Sequence, residues 1–431
     1  MTRPQVRGIV TALPPDKSIS HRAALIGALS TGETRIENFS AGEDNQSTLS
    51  ALAQLGVRIR QEGSSTRTVI IGSNGLFDLK PSQTPIQCNN SGSTMRMLAG
   101  ILAAQPFTST LIGDSSLMRR PMKRIATPLS HMGAHLSLSP NETAPIEIRG
   151  KKPLSPIVYQ TPVASAQVKS CVIFAALHAD GISEISETTQ TRNHTETMLG
   201  LLTPHSPEKP DKITVHGLKP IEAKSFFIPS DASAACFLVA LALLSKSPEL
   251  VLKNVCLNPT RTGFLTILEQ AGVHVQKENV RTIGGETIGD LICANLSLET
   301  PLRISDKALI ANAIDELPML SVLSTLATGE FELHNAEELR AKECDRIAAL
   351  VLNLRAMGFI CEEFSDGFIV KRLNRISNKK IHIQTFNDHR IAMSFGVARY
   401  FSDIELVLDN RNCTAVSFPN FFELLENLIQ N

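Results

Sequence analysis

A helical run of apolar residues that ends in a short turn and continues as an alternating strand recurs along the chain. A hydrophobic period that changes from 3.6 to 2 predicts a helix followed by a half-buried strand. Copies of this pattern are found at Ala28–Phe39, Leu102–Asp114, Ala176–Glu187, Ala242–Val255, Ser324–Glu338 and Val397–Asn410. Their number and spacing predict an α/β fold built from six repeated units.

Further helices are predicted to end at a glycine that directly precedes a strand. These segments read ALAQLGVRIRQ, LSHMGAHLSLS, ILEQAGVHVQK and LRAMGFICEEF. Their glycines, Gly56, Gly133, Gly272 and Gly358, fit the left-handed position that caps a helix C-terminus. Each repeat is therefore predicted to run strand, helix, strand, helix, strand.

The chain is long enough for two domains. Its 431 residues exceed the length at which a single hydrophobic core stops growing. Pro229 interrupts the chain between the third and fourth repeats, so we expect one lobe of three repeats at 16–229 and another at 230–431. The strand-like segment 1–15 is expected to cross over and join the second of these lobes.

Composition excludes several classes of function. The 42 basic and 42 acidic residues balance, so no overall field attracts nucleic acid or an anionic membrane, and neither partner is expected. The eight cysteines form no CxxC pair, which favours reduced thiols and a cytoplasmic location. His131 and His135 are separated by a helix-ending glycine, so we expect no metal there. The longest apolar run, Ala232–Leu244, is too short to span a membrane.

Basic residues are concentrated at the predicted helix N-termini. The macrodipole places partial positive charge there, so a cation costs stability unless an anion compensates it. For any single helix, an ordinary N-cap beside a solvated basic residue explains the pattern, but the pattern recurs throughout the chain. Backbone N–H groups together with a fixed cation form a site for phosphate or carboxylate. The residues concerned are Lys17, Arg22, Arg96, Arg120, Arg192 and Arg390.

Two further segments carry candidate catalytic groups. In EELRAKECDRIAAL, Lys342 and Arg346 are expected on one helical face beside Glu343, although a solvated salt-bridge face explains the same spacing. In IDELPML, Asp315 and Glu316 precede an apolar run, where burial would raise the pKa of a carboxylate toward that of a general base. Helix capping is the alternative. The chain contains no GxxxxGKS or GxxxxGKT loop, which excludes P-loop phosphate binding.

Short motifs follow one another over nearly the whole chain: DKSISHRAA, NNSGSTMRMLAG, GDSSLMRRPM, ASAQVKS, TRNHTE, NPTRTGF, IDELP, EELRAKECDRI, NDHRIAM and CTAVSFPNFF. Together they closely resemble the motifs of the 5-enolpyruvylshikimate-3-phosphate synthase family, and ASAQVKS with TRNHTE resembles its bacterial class II branch. The resemblance implies the enolpyruvyl transferase fold, a two-domain inside-out α/β barrel of six βαβαββ units that closes over its substrates. This architecture agrees with the repeats found above.

The same resemblance implies the reaction. The enolpyruvyl group of phosphoenolpyruvate passes to the 5-hydroxyl of shikimate 3-phosphate, and phosphate is released, in the route to chorismate and the aromatic amino acids. The family implies a monomer that has only small-molecule partners and needs no metal or organic cofactor. Because both substrates are phosphorylated carboxylates, basic helix starts have a chemical purpose here.

The resemblance also implies which residues bind each substrate. Those expected at shikimate 3-phosphate are Lys17, Ser18, Arg22, Ser165, Ala166, Gln167, Arg192, Asp315 and Lys342. Those expected at phosphoenolpyruvate are Lys17, Asn90, Gly92, Arg120, Gln167, Glu343, Arg346, His389 and Arg390.

Four of these residues are expected to be catalytic. Asp315 would accept the proton of the attacking hydroxyl, and Glu343 would protonate the methylene carbon of phosphoenolpyruvate. Lys17 would stabilise charge as a fixed cation, and Lys342 would reach between the two substrates. Gly92 would keep the backbone close to phosphoenolpyruvate, because any side chain there would intrude.

Two of the departures from the family pattern affect expected substrate contacts. Val416 replaces a lysine found in many relatives, so one phosphoenolpyruvate contact is missing or supplied elsewhere; Arg411 lies nearby, on the other side of the motif. Ala166 replaces a serine found in some relatives and could contact substrate only through its backbone.

Gly92 favours sensitivity to glyphosate, a family inhibitor that resembles phosphoenolpyruvate. The class II features instead allow tolerance, and the sequence leaves both outcomes open.

Two other functions stay open on the sequence alone. The enolpyruvyl transferase that acts on UDP-N-acetylglucosamine has a similar repeat architecture but lacks DKSISHR at its first helix. A non-catalytic anion-binding protein would also use basic helix starts. Asp315, Lys342 and Glu343 argue against such a protein, because anion capture requires no carboxylates beside the cations.

Overall fold

Helices and strands alternate along the chain in the computed structural model, which describes residues 4–63, 67–201, 212–371 and 380–430. The helices are α1 Lys17–Leu29, α2 Glu43–Gln54, α3 Gly92–Leu102, α4 Lys123–His131, α5 Ala166–Ala176, α6 His194–Leu199, α7 Ala232–Leu244, α8 Gly263–Gln270, α9 Lys307–Ala313, α10 Leu317–Thr328, α11 Arg346–Ala356, α12 His389–Ala398 and α13 Phe421–Leu428. Short 3-10 helices lie at Leu117–Arg119, Glu337–Ala341 and Asn412–Val416.

The strands are β1 Gln5–Val10, β2 Ser30–Glu37, β3 Arg58–Glu62, β4 Thr68–Asn74, β5 Ile86–Gln87, β6 Thr108–Ile112, β7 His135–Ser137, β8 Ile146–Arg149, β9 Val158–Thr161, β10 Ile182–Glu187, β11 Lys212–His216, β12 Ile221–Glu222, β13 Ser225–Phe227, β14 Glu249–Cys256, β15 Gln276–Ile283, β16 Glu286–Ala294, β17 Leu302–Ile304, β18 Phe331–Leu333, β19 Ile360–Glu363, β20 Phe368–Lys371, β21 Lys380–Ile383, β22 Glu405–Leu408 and β23 Ile429–Gln430.

Each predicted helix–strand copy is confirmed. Helix α1 leads into β2, α3 into β6, α5 into β10, α7 into β14, α10 into β18 and α12 into β22. The predicted capping glycines are also confirmed, because Gly56, Gly133, Gly272 and Gly358 have φ values of 82°, 100°, 84° and 86°. A residue with a Cβ would be strained in this left-handed conformation.

The chain divides into two units, here called the first and second lobes. The first lobe comprises Pro15–Ile228 and Ile283–Glu286. The second lobe comprises Met1–Pro14, Pro229–Thr282 and Thr287–Asn431. The sequence predicts that the tip of the β15–β16 hairpin belongs to the second lobe, which differs from what the structure shows. It belongs to the first lobe, where Glu286 Oε1 lies 2.7 Å from Nδ1 of His194 in α6.

In the first lobe, the described strands form three sheets around buried helices. The sheet orders are β12–β2–β4–β3 with β13 also beside β2, β5–β6–β8–β7, and β11–β10–β9. Helices α1, α3 and α5 are buried over most of their length because apolar and small residues occupy all their faces. A Cβ on Gly100 of α3 would lie 2.1 Å from the carbonyl oxygen of Cys171, so glycine permits this close helix contact.

The second lobe repeats this plan over its described strands. Its sheet orders are β15–β16–β14–β1–β23, β17–β18–β20–β19 and β21–β22. Strand β1 pairs in parallel with β14, with Ile9 opposite Val251, and antiparallel with β23, with Val6 opposite Ile429. Every residue of α7 is buried, and α10 and α12 are buried over most of their length. Each lobe therefore has three helices that are buried over most of their length.

Across the described ranges, no single helix is long and apolar enough to cross a membrane. Helices α9 and α10 meet that criterion of length and composition only as a pair, which is bent by 103°.

Candidate active site

Lys17 begins α1 and has an acidic partner. Asp16 caps the helix, and its Oδ1 accepts a hydrogen bond from the backbone N–H of Ile19 at 2.8 Å. The ammonium group of Lys17 lies 3.0 Å from Oδ2 of Asp44, which stands in the first turn of α2. A carboxylate of the neighbouring helix thus offsets the cost of placing a cation at a positive helix end.

Arg22 lies one turn further along α1 and is buried. Its guanidinium donates to Thr195 Oγ1 at 2.7 Å, to Ser170 Oγ at 2.8 Å and to the carbonyl oxygen of Ser18 at 2.9 Å. Burial lowers the pKa of Arg22 to about 10, although Glu196 opposes the shift. The guanidinium therefore stays charged at neutral pH while neutral groups fix its orientation.

Three of the predicted shikimate 3-phosphate residues meet at Ser18. Arg192 donates from NH1 to the Ser18 hydroxyl at 3.4 Å, and Arg22 binds the carbonyl oxygen of the same residue. Two guanidinium groups beside one serine form an arrangement suited to a phosphate, whose oxygens can accept several hydrogen bonds at once.

The start of α5 is tied to the start of α3. Ser165 caps α5, and its Oγ accepts the N–H three residues further on at 3.4 Å. Gln167 accepts from Arg96 NH1 at 2.5 Å through Oε1 and donates to Ser93 Oγ at 2.9 Å through Nε2. Ala166 is half-buried between these two residues. The three predicted residues of α5 thus share one helix start.

Gly92 begins α3 next to two guanidinium groups. A Cβ at this position would lie 2.9 Å from NH1 of Arg96 and 3.2 Å from NH1 of Arg120. Arg120 donates to Asn90 Oδ1 at 2.9 Å, and Asn90 donates to Asp114 Oδ2 at 2.6 Å. The phosphoenolpyruvate residues predicted at this helix start are therefore neighbours, and glycine leaves the space beside the cations open.

Arg346 is the central buried cation of the second-lobe site. Its Nε lies 2.8 Å from Asp388 Oδ2, one terminal nitrogen lies 2.6 Å from Glu343 Oε2, and the other lies 3.3 Å from Asp315 Oδ1. Burial alone would lower the pKa of Arg346, but the three carboxylates outweigh it and raise that pKa above its ordinary value. Both predicted catalytic carboxylates are therefore held by one guanidinium.

Asp315 precedes α10 and lies against a second guanidinium as well. Its Oδ2 is 3.6 Å from Arg390 NH2, and its carbonyl oxygen accepts from Arg390 NH1 at 2.9 Å. Two cations, Arg346 and Arg390, therefore adjoin the carboxylate that precedes the apolar run of α10. Glu316 is the fully buried member of the pair and accepts a hydrogen bond from Ser233. Its side chain makes no capping bond to α10.

The prediction that Lys342 and Arg346 share one helical face was wrong. Lys342 and Glu343 lie in the loop 342–345, after the 3-10 helix Glu337–Ala341. Asp345 caps α11, its Oδ1 accepting the N–H three residues further on at 3.0 Å, so the helix begins only at Arg346. Glu343 nevertheless reaches Arg346 from this loop.

Asp388 and Asp44 are two site residues that sequence reasoning missed. Asp388 caps α12, accepting the N–H of Arg390 at 2.8 Å, and also binds Arg346. His389 follows it as the first, buried residue of α12. The available signal was an acidic residue at or near a helix start, which by itself predicts only capping.

Arg411 does not take the place of the lysine that Val416 replaces. Its guanidinium lies 4.1 Å from the ring centre of Phe422 and 3.4 Å from Glu426 Oε1. Val416 itself ends the 3-10 helix Asn412–Val416. Arg411 is therefore engaged with α13.

Among the described residues, no group of three or more His, Cys, Asp or Glu side chains is arranged to hold a metal ion. His131 ends α4 and His135 begins β7, so the two histidines do not share a helix. The eight cysteines form no disulfides.

Comparison with known proteins identifies the family to which this chain is related. The family model described as EPSP synthase (3-phosphoshikimate 1-carboxyvinyltransferase) matches residues 2–425. The chain belongs to the EPSP synthase family. This result confirms the family expected from the sequence motifs.

Curated relatives in the EPSP synthase family match almost end to end. The 3-phosphoshikimate 1-carboxyvinyltransferase of Chloroherpeton thalassium is 59% identical over 422 residues, which cover 96% of this chain and 97% of the relative. The protein of the same name from Chlorobaculum tepidum is 56% identical over 430 residues, with 98% and 99% covered.

Solved structures confirm the enolpyruvyl transferase fold. The EPSP synthase from Acinetobacter baumannii is 36% identical and has a TM-score of 0.84, covering 100% of this chain and 97% of that chain. The enolpyruvyl transferase NikO from Streptomyces tendae has a TM-score of 0.70 at 14% identity, covering 100% of this chain and 96% of that chain. That likeness shows the fold alone.

Proposed function

We propose that this chain transfers the enolpyruvyl group of phosphoenolpyruvate to the 5-hydroxyl of shikimate 3-phosphate and releases phosphate, in aromatic amino acid biosynthesis. Family membership supports the reaction. The observation that carries it in the geometry is the pair of carboxylates, Asp315 and Glu343, held by the buried Arg346 at 3.3 and 2.6 Å. Addition followed by elimination needs a base and an acid, whereas simple anion capture needs neither.

The carboxylates divide the proton transfers between them. Asp315 accepts the proton of the 5-hydroxyl as its oxygen attacks C2 of phosphoenolpyruvate, and protonated Glu343 donates a proton to the methylene carbon. A tetrahedral intermediate with a new methyl group results. Loss of a proton from that methyl group to Glu343, together with cleavage of the bond between C2 and the phosphate oxygen, restores the double bond and releases phosphate. The leaving phosphate takes up the equivalent of the proton held by Asp315, so both carboxyl groups return to their starting states.

The cations provide binding and charge stabilisation. Arg22 and Arg192, which meet at Ser18, are assigned to the phosphate of shikimate 3-phosphate, with the α5 start beside it. Arg120 and the Gly92 backbone are assigned to phosphoenolpyruvate. Fixed cations that face a developing charge stabilise a transition state without reorganisation during the reaction.

The other predicted residues keep their assigned roles in this proposal. They are Lys17, Lys342, Arg346, His389 and Arg390 around the reacting groups, and Asn90, Ser165, Ala166 and Gln167 along the first-lobe helix starts. We also assign the enzyme to the cytoplasm, because its eight cysteines form no disulfides.

The deciding experiment measures phosphate release from phosphoenolpyruvate with three acceptors offered separately: shikimate 3-phosphate, shikimate and UDP-N-acetylglucosamine. Turnover with shikimate 3-phosphate that is lost in Asp315→Asn supports the proposal. Turnover with UDP-N-acetylglucosamine instead would make the chain the related transferase. Calorimetric binding of both shikimate-pathway substrates without phosphate release would make it an anion-binding protein.

A further inference from the structure

A buried cluster of three charges lies behind the shikimate 3-phosphate residues of the first lobe. Lys169 Nζ in α5 is 2.6 Å from Glu187 Oε1 at the end of β10 and 2.8 Å from Glu196 Oε1 in α6. The side chains of all three are at most 3% exposed. Neither the sequence motifs nor the proposed mechanism gives these residues a role.

The cluster holds Thr191, the residue immediately before Arg192, through all of its polar groups. The Thr191 N–H donates to Glu187 Oε1 at 2.9 Å, and its hydroxyl donates to Glu187 Oε2 at 2.7 Å. Its carbonyl oxygen, which belongs to the peptide group leading into Arg192, accepts from Lys169 Nζ at 3.3 Å. The backbone that carries Arg192 is therefore fixed on its N-terminal side.

The same lysine fixes the C-terminal side of this segment. Helix α6 spans only His194–Leu199, too short to be stable by itself, and Asn193 gives it no side-chain cap. The Glu196–Lys169 pair ties α6 to α5. At the neighbouring positions of these two helices, the hydroxyls of Thr195 and Ser170 are joined by a hydrogen bond of 2.8 Å. Arg22 donates to both hydroxyls.

Burying three charges is a poor way to gain stability. Well-packed apolar residues of the same volume generally stabilise a fold as well or better, because buried ions lose their hydration. What such a cluster supplies instead is a defined conformation, since each charge accepts few arrangements of its partners. The conformation fixed here is that of the segment 188–193, which places Arg192 beside Ser18 at 3.4 Å.

We propose that Lys169, Glu187 and Glu196 act as positioning residues that hold Arg192 beside Ser18 and Arg22, and so give the enzyme its selectivity for a phosphorylated acceptor. The inference rests on the proposed function, because it refines how the shikimate 3-phosphate site is built. It predicts that Lys169 acts on binding only through Arg192.

The test compares steady-state kinetics of Lys169→Met, Arg192→Ala and the double variant. In Lys169→Met, we expect the KM for shikimate 3-phosphate to rise about tenfold while the KM for phosphoenolpyruvate changes less than about twofold. The preference for shikimate 3-phosphate over shikimate should fall by a similar factor. The double variant should be no worse than Arg192→Ala alone, since two residues that act through one contact are not additive.

A milder variant keeps the test usable if Lys169→Met does not fold. Thr191→Val retains all three charges and removes only the hydroxyl bond to Glu187, so its effect should have the same direction and be smaller. Lys253→Met is the matched control: it breaks a part-buried pair with Asp290 at 2.8 Å in the second lobe. It should lower stability without changing the ratio of the two KM values.

Each outcome has a distinct meaning. An unchanged KM for shikimate 3-phosphate in folded Lys169→Met or Thr191→Val, or losses that add to those of Arg192→Ala, would overturn the inference alone. A wild-type enzyme that releases no phosphate from phosphoenolpyruvate and shikimate 3-phosphate would overturn the proposed function itself.

Discussion

Cations at the helix starts of this protein come with internal partners. Lys17 has Asp44, and Arg346 has Asp388, Glu343 and Asp315. These carboxylates offset the repulsion between a basic side chain and a positive helix end when no substrate is bound. An incoming phosphate or carboxylate therefore competes with an anion already present.

Lys17→Ala tests the importance of one such cation. We expect kcat/KM to fall on the order of a hundredfold, because a fixed positive charge beside the developing charge is lost. Circular dichroism and the melting temperature should show a folded protein. Lys80→Ala is the control, since that exposed lysine lies 3.6 Å from Asp78 on the same lobe. Equal activity in the two variants would contradict the role given to Lys17.

Gly92→Ala tests the space beside Arg96 and Arg120. The added methyl carbon would lie 2.9 and 3.2 Å from their NH1 atoms, so at least one guanidinium must move. We expect the KM for phosphoenolpyruvate to rise about tenfold, with little change in the KM for shikimate 3-phosphate. A rise confined to shikimate 3-phosphate would show that this helix start serves the other substrate.

Local sequence patterns were sufficient to predict most of the helices and strands. Helix-ending glycines and the change of hydrophobic period are local features of the sequence. The strands come shortly after these features along the chain. The loop 342–345 was missed because the sequence preceding α11 keeps a helical spacing, and the cap at Asp345 decides where the helix starts. Contacts such as Arg22 with Ser170 join distant segments, so no local pattern could reveal them.

Gly272→Ala isolates the energetic contribution of a left-handed helix cap. Gly272 has a φ of 84°, and an added Cβ would meet nothing within 4 Å. We therefore expect the free energy of unfolding to fall by about 1 kcal/mol from backbone strain alone, with activity unchanged. Urea denaturation measures this loss. Gly272→Asn should be milder because asparagine tolerates this conformation, and equal losses for the two variants would argue against the strain explanation.

Two buried histidines link the stability of the folded protein to pH. Burial, and then Lys17 and Arg22, lower the pKa of His21 well below its ordinary 6.5. Burial likewise lowers the pKa of His178, against two carbonyl contacts that raise it. Below pH 6.5 the unfolded chain thus binds protons that these folded-state imidazoles do not.

The unfolding free energy should therefore be highest above pH 6.5 and fall as the pH decreases toward the lowered folded-state pKa values. We expect each histidine to contribute a slope of up to about 1.4 kcal/mol per pH unit at pH values below about 6.5 and above its own lowered pKa. Urea denaturation at several pH values measures this slope. His21→Gln should reduce it, and a variant with the wild-type slope would exclude His21 as a contributor.

The pairing of β1 has a consequence for how the protein is made. Strand β1 is synthesised before its neighbours β14 and β23, which are encoded much later, the second of them in the last residues described. The first lobe is almost one continuous stretch and can fold during translation. The second lobe cannot complete its sheet until β14 and β23 have been synthesised, so a nascent chain that lacks them exposes the unpaired edges of β1 to aggregation and to chaperones.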